Sequence, residues 1–207
     1  MTAPQPLVFA HLSDPHLSDL AGIGFSSLLS KRILGYLSWR QRRRFEHLTM
    51  VLDALRVDLQ TGHLDQILIT GDLTHLGLPH EFRQVRQWLD SLHHPAVAVV
   101  PGNHDSYVPT PWAATYKLWQ PYFGRDGDDE SLSHLDEVFP TLTVRGQVAF
   151  IGISTARPMA PFIAAGKVGS RQLEKLASLL KDCGEKGLFR VVFLHHPPLP
   201  GHEKWRK

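Results

Sequence analysis

Residues 66–72 read Gln66-Ile-Leu-Ile-Thr70-Gly71-Asp72, a short apolar run that ends on a glycine and an acidic side chain. Short apolar runs bounded by turn residues are typical of buried β-strands. The same order, an apolar run and then polar side chains, recurs over residues 7–16, 96–105 and 190–197. Because the carboxyl ends of neighbouring parallel strands meet at one edge of an α/β sheet, these polar segments are expected to lie together.

Strands and helices are predicted to alternate over the first half of the chain. The apolar periodicity predicts strands over residues 7–12, 66–70 and 96–100, and helices over residues 41–60, 79–92 and 112–122. In the second half it predicts a hairpin of residues 141–144 and 148–153, a helix over residues 169–181 and a strand over residues 190–194. The pattern indicates an α/β fold with a mostly parallel sheet, crossover helices and a second sheet with antiparallel pairing.

The composition is that of an ordinary globular domain. The 207 residues are 43% hydrophobic and 20% charged, with a formal net charge of +2, so one domain over residues 1–207 is expected and nucleic acid is not favoured as a partner. Cys183 is the only cysteine, which excludes an internal disulfide and a cysteine-based zinc site. Residues 1–6 lack the pattern of a signal peptide, and no apolar run approaches the roughly 18 residues of a membrane span. A cytoplasmic location is therefore expected.

The polar segments carry the donor atoms that divalent metal ions bind. Asp14 and His16 are separated by one residue and are able to reach one ion together. The carboxylate of Asp72 is able to bridge two ions. Asn103 offers an amide oxygen and His195 an imidazole nitrogen. Each signal is weak alone, since Gly-Asp after a strand is more often a turn, but together they favour a metal site. This set of oxygen and nitrogen donors admits Mn, Fe, Zn or Co.

These motifs resemble those of the calcineurin-like metallophosphoesterase family, and within it the bacterial branch related to cyclic-nucleotide and glycerophosphodiester phosphodiesterases. The matching motifs are Asp14-x-His16, Gly71-Asp72, Gly102-Asn103-His104-Asp105 and His195-x-Pro197. The resemblance implies a four-layer αββα sandwich of two mixed β-sheets flanked by helices. It also implies a centre of two divalent metal ions, with these ligands: Asp14 and His16 on one ion, Asn103 and His195 on the other, and Asp72 between them.

The resemblance further implies a metal-dependent phosphoesterase that hydrolyses phosphodiester bonds of a small substrate. Two divalent ions roughly 3.5–4 Å apart supply a bridging hydroxide at neutral pH, which attacks phosphorus opposite the leaving oxygen. His104 is expected to protonate the leaving alkoxide or to stabilise the charged transition state. Asp105 is expected either to orient His104 through its ring N–H or to be a surface or helix-capping residue. His196 is expected to pack or to face the substrate.

The family closes its site with Gly-His-x-His on a later strand, and that pattern does not occur here. Gly201-His202 is followed by Glu203-Lys204, only six residues after His195, so His202 is not expected to be a ligand. We therefore expect a domain that is incomplete at its C-terminus and lacks its last strands. The alternative function is a non-catalytic or impaired fragment that keeps the fold and at most binds metal or phosphate.

A basic segment rich in aromatic and aliphatic residues follows the first motif, over residues 31–44. One interpretation is contact with anionic lipid headgroups, or with a phosphate-bearing substrate at the rim of the site. The interpretation we favour is a solvated helix face whose leucine and tryptophan side chains pack inward. The sequence leaves the substrate open among a cyclic nucleotide, a glycerophosphodiester, a nucleotide-sugar lipid and nucleic acid, and it indicates no oligomeric state.

Overall fold

The computed structural model describes residues 6–17, 19–42, 45–46, 49–124, 131–161 and 163–199. Gly201-His202 and part of the basic segment lie outside these ranges. The strands are β1 (Phe9–Leu12), β2 (Gln66–Thr70), β3 (Val97–Val100), β4 (Thr141–Arg145), β5 (Val148–Gly152) and β6 (Phe189–Phe193). The helices are α1 (Arg32–Gln41), α2 (Thr49–Thr61), α3 (Pro79–Ser91), α4 (Leu135–Val138) and α5 (Ser170–Glu185). Within the described residues, segments of 3₁₀ helix cover Phe25–Leu28, Trp112–Ala114 and Tyr116–Tyr122.

The first sheet has the order β1-β2-β3 and is parallel throughout these three strands. Ile67 of the central strand lies opposite Ala10 on one side and Val97 on the other. Every residue of β2 is buried, which explains its continuous apolar run, since a central parallel strand is covered on both faces. Helices α1 and α2 precede β2 and helix α3 precedes β3, as parallel connections require.

The second sheet has the order β4-β5-β6 and is mixed. Strands β4 and β5 form the predicted antiparallel hairpin, and Gly146 in its turn adopts a φ of 53°, where glycine is favoured. Strand β6 pairs with β5 in parallel after the crossover helix α5. Of the two sheets, only this one combines both pairings among the described strands.

The layers follow from the alternation of side chains along β5. Phe150 joins the core that includes Ile67 and Phe193, and its ring lies 5.5 Å from that of Phe9 in the first sheet. The neighbouring residues Ala149 and Ile151 face the other way and pack with Cys183 and the apolar face of α5. On the first sheet, α3 contributes Phe82, Val85 and Leu89 to the core. The predicted αββα sandwich is therefore confirmed.

Two helical regions differ from the prediction. The helix predicted over residues 41–60 is observed as α2, Thr49–Thr61, and a separate helix, α1, covers Arg32–Gln41. The helix predicted over residues 112–122 is instead two 3₁₀ segments, because Pro121 lacks an N–H and the Thr115 hydroxyl donates to the carbonyl of Pro111 at 2.8 Å. Within α1, Trp39 is buried as favoured above, whereas Leu37 is exposed.

Among the described residues, none of the helices has the length and apolar character that a membrane crossing requires.

Candidate metal centre

The loops after β1, β2, β3 and β6 meet at one edge of the molecule. The backbone N–H groups of Asp14 and His16 donate to the carbonyls of Gly71 and Asp72, each at 3.1 Å, so the first two loops are joined. His195 arrives from the second sheet, with its Nδ1 2.7 Å from the last carbonyl of β2. The structure thus brings together the five side chains that the sequence predicts as ligands: Asp14, His16, Asp72, Asn103 and His195.

The backbone at these loops is held in an uncommon conformation. Asp14, His16 and Asp72 have φ values of 55°, 44° and 55°, in the left-handed region that non-glycine residues seldom adopt. Such strain persists only where the surrounding structure determines it, and it concentrates at functional sites. The left-handed backbone at these three residues therefore costs local stability, and it directs their side chains toward one another.

Three imidazole rings are oriented in the same way, each by a backbone carbonyl. The Nδ1 atoms and their carbonyl partners are His16 with Thr74 at 2.9 Å, His104 with His75 at 2.6 Å, and His195 with Thr70 at 2.7 Å. Because a carbonyl oxygen only accepts, each Nδ1 is the donor in these contacts, and Nε2 is the ring nitrogen left to face the cluster. Histidines that bind metals are held in this manner, so the rings fit a metal centre.

Asp72 lies at the middle of the cluster. Its Oδ2 is 4.0 Å from Nε2 of His104, and its Oδ1 is 3.5 Å from Nε2 of His195. The potential ligand atoms form two compact groups, and within each group all the atoms lie within 4.8 Å of one another. The first group is His16, Asp72 and His104, and the second is Asp14, Asp72 and His195. One carboxylate therefore belongs to both groups, which is the position that the resemblance implies for Asp72.

The grouping of the other side chains differs from the implied ligand sets. Asp14 and His16 were expected on the same ion, but the compact groups separate them, and His104 accompanies His16. Asn103 lies on the His195 side as expected, with its Oδ1 3.2 Å from Nε2 of His195.

Asp105 has a different position from either of those expected for it. Its carboxylate accepts hydrogen bonds from the backbone N–H groups of Asp72, Gly102 and Thr74 at 2.8–2.9 Å and from the Thr74 hydroxyl at 2.9 Å. It is fully buried, and the ring Nδ1 of His104 is directed to a carbonyl instead. Burial, and then the negative charge of Asp72, raise the pKa of Asp105. Asp105 therefore holds the loops after β2 and β3 together and does not contact the ring of His104.

Two glycines permit the close approach of these loops. A Cβ at Gly102 would overlap Oδ1 of Asp72 and lie 2.5 Å from its backbone nitrogen. A Cβ at Gly71, whose φ is 80°, would lie 2.7 Å from Nδ1 of His195. Both positions require glycine because the backbones of the β2 and β3 loops lie against each other.

Sequence reasoning missed the residues that fix the loop after Asp72. His75 in that loop stacks on His16, with ring centroids 4.8 Å apart. The buried Glu81 carboxylate accepts the N–H groups of His75 at 2.7 Å and Leu78 at 2.8 Å. Arg32 of the basic segment donates to the carbonyls of residues 76 and 77. The available signal was Glu81 at the third position of a helix that begins with proline, where a carboxylate caps backbone donors.

His196 packs beside the centre, one of the two positions expected for it. Its Nδ1 lies 2.7 Å from the Thr155 hydroxyl, and a Cβ at Gly166 would overlap its ring. Burial, and then the neighbouring charge of His195, lower the pKa of His196 to about 4, although Asp14 acts in the opposite direction. The ring is therefore neutral at physiological pH.

A pocket of about 230 Å³ opens beside the cluster. It meets the predicted site residues at Asn103 and His104 and extends between α1 and residues 157–164. Its described lining includes Lys31, Tyr107 and Arg157. The centre therefore adjoins a space of a size suited to a small organic group.

The donor set fits divalent cations. Carboxylate and amide oxygens with imidazole nitrogens suit Mn, Fe, Zn or Co, and the shared carboxylate suits two ions close together. The rings and the loops are already oriented by hydrogen bonds to the protein. The arrangement is suited to binding and polarising a phosphate group.

Comparisons with known proteins agree with this geometry. A model of the calcineurin-like phosphoesterase family matches residues 7–207. The chain is also similar to the glycerophosphodiester phosphodiesterase GpdQ of Enterobacter lignolyticus (strain SCF1), with 30% identity over 137 residues. That region is 66% of this chain and 43% of the relative, so the chain spans less than half the length of the curated relative it matches. Since the family match includes every loop that contributes to the centre, the chain belongs to the calcineurin-like phosphoesterase family.

Proposed function

We propose that this chain hydrolyses phosphodiester bonds at a centre that holds two divalent metal ions. The observation that carries the proposal is the place of Asp72, whose carboxylate belongs to two compact groups of ligand atoms. Family membership supports the same chemistry. When bound, the ions would supply an activated water at neutral pH and neutralise charge on the phosphate oxygens.

The residues proposed as ligands are Asp14, His16, Asp72, Asn103 and His195. Support comes from the direction of the rings, since His16 and His195 each use Nδ1 on a carbonyl and keep Nε2 toward the cluster. The positive φ values of Asp14, His16 and Asp72 add to this support, because they are costly unless these side chains must point inward. The proposed ions are Mn, Fe, Zn or Co.

His104 is proposed to protonate the leaving oxygen. Its Nδ1–H is held by the carbonyl of His75, and its Nε2 lies 4.0 Å from the carboxylate of Asp72. In the proposed role the protonated ring would deliver its Nε2 proton to the leaving oxygen and keep its Nδ1 proton on the carbonyl. His104 also lines the pocket, where a leaving group would lie.

The substrate is proposed to be a small phosphodiester. The pocket beside His104 holds about 230 Å³, which accommodates an alcohol substituent of modest size. The relative with 30% identity is named as a glycerophosphodiester phosphodiesterase, and this makes a glycerophosphodiester the first substrate to try.

The test combines metal binding with turnover. The chain is freed of metal, titrated with Mn²⁺ in a calorimeter, and assayed with bis(p-nitrophenyl) phosphate. Asp72→Asn is compared with Asp182→Asn, which alters an exposed carboxylate on α5. We expect two Mn²⁺ ions per chain and Mn²⁺-dependent turnover, both lost in the Asp72 variant and kept in the Asp182 variant.

Two results would count against the proposal. Hydrolysis that persists in chelator would exclude a metal-dependent reaction. Binding of Mn²⁺ by folded protein without turnover of any phosphodiester would favour the alternative function, a domain that binds metal but does not catalyse.

A further inference from the structure

We propose that the pocket beside His104 binds a second anionic group on the substrate, and that Arg157 and Lys31 are the residues that recognise it. This inference rests on the proposed function and adds a substrate class to it, namely phosphodiesters whose organic part carries a carboxylate or a phosphate. The two cations are more than 120 residues apart in the chain and line the same pocket.

The lysine and arginine side chains in the described pocket lining are not balanced by acidic side chains in that lining. The described lining contains a lysine and an arginine and includes neither aspartate nor glutamate. Apolar side chains, among them Leu34, Met159 and Ile163, form much of the remaining wall. Arg157 also borders a second cavity, where Asp136 is among the lining residues, so the absence of acidic side chains holds for the described lining of this pocket. Cations that face a low-dielectric space without acidic side chains attract anions more strongly than cations in open water do.

Arg157 lines the pocket with an unpaired guanidinium among the described residues. Its side chain is partly buried, yet it forms no hydrogen bond or ion pair with any residue that the structure describes. Other partly buried arginines in the chain are paired: Arg32 donates to two carbonyls, and Arg86 contacts Asp90 at 2.8 Å. Because a guanidinium carries five donors, burying it without partners is costly, and a bound oxyanion would supply them.

Lys31 is the second cation in the pocket lining, and its contacts also fix the shape of the pocket. Its Nζ donates to the carbonyl of Met159 and lies 4.6 Å from the ring centroid of Tyr107. These contacts fix the start of α1 against the segment after Arg157, and they leave further N–H groups of the ammonium for a ligand. Burial lowers the pKa of Lys31, as expected for a cation with no acidic partner.

The position of the pocket distinguishes a second anion from the phosphate that reacts. Of the proposed ligands and catalytic residues, only Asn103 and His104 line it, whereas Asp14, His16, Asp72 and His195 do not. A phosphate at the shared carboxylate would therefore place only one of its substituents in the pocket. The cations then contact the far part of that substituent, where an additional carboxylate or phosphate would lie.

The test uses matched pairs of substrates with the metal-loaded chain. Glycerophosphoserine and glycerophosphoethanolamine differ by one carboxylate, and glycerophosphoglycerol and its terminal phosphomonoester differ by one phosphate. We expect kcat/KM to be about tenfold higher for the member of each pair with the extra anion, the effect of one charge-assisted hydrogen bond. In Arg157→Gln the ratio of the two kcat/KM values in each pair should fall close to one. Arg157→Lys should restore part of the preference for the substrate with the extra anion.

Arg83→Gln is the matched control, since Arg83 is an exposed arginine on α3, and its ratios should equal those of the wild type. Binding gives a readout that does not depend on turnover. Calorimetric titration with O-phosphoserine and O-phosphoethanolamine should show the same preference in the wild type and its loss in Arg157→Gln. Urea unfolding of each variant establishes that it is folded.

The outcomes separate this inference from the proposed function. Metal-dependent hydrolysis with ratios near one in the wild type, or ratios unchanged by Arg157→Gln, would overturn the inference and leave the proposed function intact. A binding preference that depends on Arg157, without any hydrolysis, would support the inference and reject the proposed activity. Absence of both hydrolysis and binding would reject both.

Discussion

A single carboxylate oxygen of Asp105 accepts hydrogen bonds from the backbone N–H of Asp72 and from that of Gly102, both at 2.9 Å. Its other oxygen accepts the N–H of Thr74 at 2.8 Å and the hydroxyl of the same residue at 2.9 Å. One buried side chain thus joins the loop after β2 to the loop after β3. The distance between the shared carboxylate and the Asn103–His104 segment depends on this junction.

Asp105→Asn should destabilise the protein by about 3 kcal/mol, because an amide offers one acceptor oxygen and turns an N–H₂ group toward buried donors. Urea unfolding of the metal-free chain measures the change in the free energy of unfolding. Asp182→Asn, on the exposed face of α5, should leave that free energy within about 0.5 kcal/mol of the wild-type value. Equal stability of the two variants would show that the junction contributes little.

Gly102→Ala should weaken Mn²⁺ binding by about 10–100-fold, the range found when the support of a metal ligand is disturbed. The added Cβ would overlap Oδ1 of Asp72 and displace the carboxylate from the cluster. Calorimetric titration with Mn²⁺ measures the affinity. Gly24→Ala is the control, since a Cβ there meets only the hydroxyl of Ser26 at 3.8 Å. Wild-type affinity in Gly102→Ala would contradict the close approach of the two loops.

His104→Gln should separate a role in proton transfer from a role as a ligand. If His104 protonates the leaving oxygen, kcat for a glycerophosphodiester should fall by about 10²–10⁴-fold, the usual contribution of a general acid. Turnover of bis(p-nitrophenyl) phosphate should fall much less, because p-nitrophenolate leaves without a proton. The number of Mn²⁺ ions bound should stay the same. Loss of one ion, with an equal fall in rate for both substrates, would instead assign His104 to the His16 side as a ligand.

The stability of the metal-free protein should depend on pH through His196. Burial and the charge of His195 lower the pKa of His196 from 6.5 to about 4, so between these values the unfolded chain binds more protons than the folded one. The contribution of His196 is therefore fully present above pH 6.5 and is lost as the pH falls toward 4. Urea unfolding in chelator from pH 4 to 7 measures this dependence. His196→Gln should give a shallower pH dependence than the wild type, and identical slopes would contradict the shift.

The main elements, and the convergence of the five side chains proposed as ligands, were predictable because their signals are local. Strand β2 is observed over residues 66–70, as its apolar run between turn residues predicts, and α3 begins at Pro79 as predicted. The predicted ligands directly follow such strands, and the carboxyl ends of neighbouring parallel strands share one edge. The 3₁₀ segments over residues 112–122 were missed because apolar spacing does not register a proline or a hydroxyl that competes for a carbonyl.

The sequence by itself determined the alternation of strands and helices and the motifs that place the chain in its family, since these depend on short patterns read along the chain. The layered fold was implied by the family resemblance. Only the tertiary structure decided what the side chains at the centre face. Asp105 binds backbone N–H groups up to 33 residues away, His104 is held by a carbonyl 29 residues away, and Arg157 lines a pocket with Lys31. Such contacts arise when loops from different strands pack together, and no local periodicity encodes which side chain will meet which backbone group.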